Sequence, residues 1–138
     1  MNSVIEIALS QYGVQEFAGC KHNPVVMKYF SESGHDWVPN DETPWCSAFA
    51  NWVMKKAGKR TTNKLNARSW EKLGVETTVP EVGDIVFLWR KSIDSPYGYV
   101  GFFIKEEGDR IYVLGGNQSN SVCIKPYLKS RLLSYRKI

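Results

Sequence analysis

The chain has 138 residues, 43% of them hydrophobic and 23% charged, which is enough for one ordinary domain and excludes a disordered tail. No apolar run approaches the roughly 20 residues that a bilayer-crossing helix needs, and residues 1–138 read as a single domain without repeat or linker. The net charge of +4 is uneven: six basic and no acidic residues lie from Arg110 to Ile138, leaving −2 for the rest.

The first 75 residues read as helices. Val4, Ile5, Ala8, Leu9 and Tyr12 recur at helical spacing, with Gly13 as a stop. This stretch carries Glu6 and has no basic n-region, so it does not read as a signal peptide. A second helix begins at Asn23 as N-cap with Pro24 in first position, runs through Val25, Val26, Tyr29 and Phe30, and ends at Gly34. The third has the clearest signals: Thr43 as N-cap, Pro44 next, Trp45 to Ala57, and Gly58 as terminator. Trp45, Ala48, Phe49, Trp52 and Val53 fall on one face, which marks this helix as buried. A fourth fits Asn66 to Leu73, ended by Gly74.

After Pro80 the period changes. Ile85–Arg90, Tyr99–Glu106, Arg110–Leu114, Ser121–Tyr127 and Leu132–Ile138 are rich in β-branched and aromatic residues. Glu107-Gly108-Asp109 reads as the turn of a hairpin. Helices followed by a strand meander predict an α+β domain with a roughly five-stranded antiparallel sheet.

Three cysteines at irregular spacing, with no C-x-x-C pair, indicate neither a disulfide framework nor a zinc site, and two histidines are few for any metal. No cofactor is implied. Cys20 and Cys123 read as small semi-buried side chains. Cys46 differs, because this reading puts it near the third position of a helix. There the dipole and the backbone N–H groups favour a thiolate, the nucleophilic form. Such a nucleophile needs a proton-handling partner, usually histidine, oriented by Asn, Asp or Glu. Asn117 is a reasonable orienting residue. Where the histidine would stand, the sequence has Tyr99.

An ordered set of motifs carries a resemblance. His22-Asn23-Pro24, the run from Asp41 to Phe49 around Pro44-Trp45-Cys46, and Ala67-Arg68-Ser69-Trp70 come first. Gly83-Asp84-Ile85-Val86, Val100-Gly101-Phe102 and the run from Leu114 to Asn120 follow. The chain resembles small bacterial and phage cysteine peptidases of the CHAP and NlpC/P60 type. The resemblance implies a papain-like α+β fold, with N-terminal helices packed on the sheet. It also implies hydrolysis of amide bonds in peptidoglycan, as endopeptidase or amidase. By position Cys46 matches the nucleophile and Asn117 the orienting residue. The family pattern G-H-V-G-F reads Gly98-Tyr99-Val100-Gly101-Phe102 here, so Tyr99 replaces the catalytic histidine.

Imidazole titrates near pH 6.5 and both takes and returns a proton, whereas a phenol near pKa 10 is a poor base. Three readings stay open. A histidine from elsewhere, His35 or His22, fills the role; or Tyr99 is tolerated with a slower or altered mechanism; or the domain is a pseudoenzyme that binds wall peptides or a protein partner. Trp45 and Gln118 are further candidates to line the cleft. Backbone N–H groups at Cys46 are a better oxyanion site than Gln118. A phage lysin, an effector and a wall-remodelling enzyme all fit, acting in the periplasm or wall after export, injection or lysis. The basic C-terminal strands would suit an anionic partner such as the wall. No nucleic-acid motif and no membrane insertion are indicated, and a monomer is expected.

Overall fold

The computed structural model describes residues 3–14, 24–32, 45–62, 70, 73–89, 98–118 and 121–137. Its helices are α1 (Ser3–Ser10), α2 (Pro24–Ser31) and α3 (Cys46–Lys56), and its strands are β1 (Val75–Thr77), β2 (Ile85–Trp89), β3 (Gly98–Glu107), β4 (Arg110–Gln118), β5 (Ser121–Leu128) and β6 (Leu132–Lys137). The α+β expectation holds, with a six-stranded antiparallel sheet in place of five strands. The added strand is β1, three residues long, which pairs with the C-terminal β6. So short a segment has no readable period, and only its partner makes it a strand.

Differences at the other elements are local. Asn66–Leu73 lies mostly outside the described residues; Trp70 stands in a 3-10 turn and Leu73-Gly74 in a bend leading into β1. Thr43, Pro44, Asn23 and Gly34 also lie outside them. Gly13, at the end of the turn after α1, and Gly58, after α3, take positive φ (90° and 73°), as the stop signals require. β4 runs on through Gly115-Gly116-Asn117-Gln118, a segment whose composition also suits a polar turn. Partners decide that: Gly115 pairs with Cys123 and Gln118 with Ser121 of β5.

The strand order is β1-β6-β2-β3-β4-β5. β5 and β6 are consecutive, joined by the 3-10 turn Lys129–Arg131, yet three strands stand between them. In a flat sheet they would lie roughly 19 Å apart, four spacings of about 4.8 Å. Residues 128 to 132 reach at most roughly 14 Å. The sheet therefore curls. The turn itself closes the curl: Lys129 N–H donates to Asp109 O at 2.7 Å, beside the β3–β4 hairpin, and Trp89 Nε1 of β2 donates to Ser130 O at 3.3 Å.

Curling gives the sheet two buried faces. One carries α3, which packs on β3 and β4, with Phe49 meeting Phe102 edge-on at 6.4 Å. The other is the inside of the curl. Phe103 packs edge-on to Tyr135 there at 5.4 Å, and Tyr135 Oη donates to Glu106. Val86, Leu88, Ile111 and Val113 are buried with them. Because alternate residues of a strand face opposite sides, Tyr99 and Phe103 point into the curl while Val100 and Phe102 point to α3.

The motif residues Gly83 and Asp84 serve this architecture. Gly83, at φ 95°, turns the chain into β2; its N–H donates to Phe103 O at 2.9 Å and Phe103 N–H returns to Asp84 O at 2.7 Å. The Asp84 carboxylate accepts Glu81 N–H at 2.8 Å and Lys137 Nζ at 2.7 Å, tying the start of β2 to the end of β6.

Candidate active site

Helix α3 begins at Cys46 itself. Trp45 is the N-cap, with φ −127°, ψ 16° and no side-chain cap, so Cys46 stands first in the helix rather than third. The first helical bond runs from Phe49 N–H to Trp45 O at 2.9 Å. The N–H groups of Cys46, Ser47 and Ala48 thus precede the ladder, at the positive end of the dipole. Cys46 is a thiol, 8% exposed.

The helix start is held from three sides. Trp45 is fully buried, tilted against Tyr29 at 5.7 Å, and Tyr29 also packs edge-on to Phe49 and Trp52. Beneath, Gly116 gives the close approach: a Cβ there would stand 2.7 Å from both Phe49 Cβ and Trp45 Cζ3. Ser47, fully buried, accepts Trp70 Nε1 at 3.0 Å, and further along Asn51 Oδ1 accepts Thr62 N–H at 2.9 Å. Trp45 therefore seats the start of α3 from within the core.

Tyr99 lies across the same glycine pair. It is 6% exposed, and its hydroxyl donates to Gly116 O at 2.8 Å. A Cβ on Gly115 would overlap that hydroxyl, whereas one on Gly116 would strike α3, so the two glycines face the two buried layers. The Tyr99 ring stacks on Tyr127 at 5.4 Å. Burial above all, then Tyr127, Cys46 and Cys123, pushes the phenol well above its ordinary value. A group so held is neutral at any working pH and is neither a useful base nor a ready acid.

Asn117 belongs to β4. Phe102 of β3 pairs with Leu114 of β4, so Tyr99, three residues before Phe102, and Asn117, three residues after Leu114, lie at the same end of the ladder. The Asn117 and Gln118 side chains lie outside the described residues, as do His22, His35 and Cys20. Sequence reasoning did not single out Cys123 and Tyr127 as neighbours of Tyr99. The available signal was the two-residue period of β5, which puts both on the Gly115 face once the β4–β5 register is known.

Among the described residues no group of three or more His, Cys, Asp or Glu side chains could hold a metal, and no helix is long and apolar enough to cross a membrane. The geometry thus gives a thiol at a helix start, a side-chain-free Gly115-Gly116 pair against Tyr99 and Trp45, and a strand end bearing Asn117. The sequence matches the CHAP domain family over residues 37–117, a span that contains Cys46, Tyr99 and Asn117. No curated protein gives a significant match. With more than half of its length matched, the chain belongs to the CHAP domain family.

Proposed function

We propose that the protein hydrolyses amide bonds of bacterial peptidoglycan through Cys46, without base catalysis from Tyr99. The observation that carries this reading is the position of Cys46, first residue of a buried helix seated on the β3–β4 ladder, in a chain of the CHAP family. Cys46 Sγ attacks the amide carbonyl carbon, and the oxyanion is met by N–H groups of the helix start. The C–N bond breaks, the amine leaves with a proton, and water hydrolyses the thioester to restore the thiol. Asn117 is the expected orienting residue, Gln118 lines the cleft, and the substrate is reached after export, injection or lysis.

The proton for the amine comes from water or from His35 or His22, because the Tyr99 hydroxyl is committed to Gly116 O. Absence of a positioned general base lowers such a rate by about 10²–10⁴-fold. That same commitment favours a second reading, a disabled enzyme that binds wall peptides or a protein partner.

Digestion of purified sacculi from several wall types, read by mass spectrometry of released muropeptides, separates the two. The unaltered chain, Cys46→Ala and Tyr99→His are compared, with His35→Ala and His22→Ala as controls on the proton donor. Products released by the unaltered chain and lost in Cys46→Ala support the hydrolase, and their masses name the bond. Release only by Tyr99→His identifies a disabled enzyme. Release by neither, with sacculi retained by both, leaves binding as the function.

A further inference from the structure

Away from Cys46, unsatisfied polar groups gather at one corner of the sheet. Ser134 Oγ and Arg136 Nε are buried and make no hydrogen bond. They are two residues apart on β6, opposite Phe87 and Ile85, and so share one face. That face looks toward the helices, because Arg136 and Ile85 line a cavity of about 40 Å³ together with Val4 of α1, Met54 of α3, Lys59 and Asp84. Among the described residues no carboxylate pairs with Arg136. The acids of this corner are engaged by Lys137, at 2.7 Å from Asp84 and 3.9 Å from Glu81.

A guanidinium N–H buried without an acceptor is costly, and native structures rarely leave one so. Here a second cation, Lys59, lines the same space, and Asp84, the acid beside them among the described residues, already accepts Lys137 and a backbone N–H. The last turn of α3 is closed as well: Lys59 N–H donates to Met54 O at 2.9 Å and Ala57 N–H to Val53 O at 3.0 Å. Among the described residues nothing supplies an acceptor to Arg136 Nε.

We propose that this cavity binds a carboxylate group, with Arg136 as its principal donor and Lys59 as its second charge. A flat two-oxygen anion matches the guanidinium fork. The space exceeds the roughly 10–15 Å³ that one water requires and is far smaller than a nucleotide or sugar site. The ligand therefore enters by its acid group alone, as a small organic acid or a peptide C-terminus does. The cavity lies at the far end of α3, whose eleven residues span roughly 16 Å, so it is separate from the Cys46 site and independent of the function proposed there.

The test is an acetate titration of the full chain, followed at the arginine Nε–H resonances, with sodium chloride at matched ionic strength as control and inorganic phosphate as a parallel arm. The expected result is a saturable shift of the Arg136 resonance with acetate and none with chloride. Lys59→Gln, an exposed change that spares the fold, weakens that binding by about three- to tenfold. Arg136→Gln removes it, and Arg136→Met removes it while the denaturant midpoint without ligand stays level or rises. A resonance insensitive to acetate, as when a water alone fills the cavity, overturns the proposal. So does an equal response to chloride, or acetate binding unchanged in Lys59→Gln. Saturation by phosphate but not acetate overturns the assignment to a carboxylate.

Discussion

Tyr99→Phe separates a structural tyrosine from a catalytic one. The substitution keeps the ring, its stacking on Tyr127 and its burial, and deletes only the hydroxyl that donates to Gly116 O at 2.8 Å. A net hydrogen bond contributes about 1 kcal/mol, and the buried carbonyl left behind adds to the loss, so the expected cost is about 1–2 kcal/mol. For a chain of this length that lowers Tm by about 3–7 °C. Urea unfolding should show a lower midpoint with an unchanged m-value. Cys46-dependent muropeptide release, per folded molecule, should change by less than about twofold, since a hydroxyl turned to Gly116 supplies no proton to the leaving amine. Two results refute the reasoning. Unchanged stability would mean that the hydroxyl is not seated on Gly116. A loss of about 10²-fold in release with the fold intact would make Tyr99 the proton donor.

Further predictions concern the same glycine pair and the buried phenols. Gly115→Ala forces a methyl onto the Tyr99 hydroxyl and should destabilise by about 1–3 kcal/mol; combining it with Tyr99→Phe should cost less than the sum of the two, as a double-mutant cycle in urea would measure. Gly116→Ala presses instead on Phe49 and Trp45 at the start of α3, so it should destabilise comparably without relief from Tyr99→Phe. Tyr29, Tyr99 and Tyr135 all have phenol pKa values raised above 10.0, burial being the first cause in each. A raised folded-state value contributes stability that is complete below pH 10 and is lost as the pH climbs toward the folded values. Ultraviolet titration should therefore show these three ionising late, in step with alkaline unfolding, and early ionisation of all the tyrosines would contradict their burial.

The residue pattern alone carried the class of fold and the place of Cys46 at a helix start. The 3.6-residue period before position 60 and the β-rich runs after Pro80 are local signals, and so are the glycine stops. They suffice for helices followed by an antiparallel sheet, and for a cysteine at a helix start with asparagine on a later strand. Boundaries were less legible. Thr43-Pro44 suggests a helix two residues earlier than the one whose first residue is Cys46, a shift that changes which N–H groups stand beside the thiol. β1 could not be read because three residues have no period, and its identity depends on β6, about sixty residues away.

Tertiary structure alone decided what Tyr99 does. From sequence it is a phenol where a histidine is expected; in the fold it is a hydroxyl locked to Gly116 O inside a curled sheet. That outcome depends on strand register, which makes Gly115 and Gly116 face opposite layers, and on a β5–β6 connection too short for a flat sheet. The buried, unbonded Nε of Arg136 was equally unreadable, since a cation near the end of a basic segment looks solvated until the strand that carries it is placed between two others. Local periodicity reports which face of an element is apolar. Which atoms meet across two elements is fixed by pairing and closure, and those involve residues far apart in the chain.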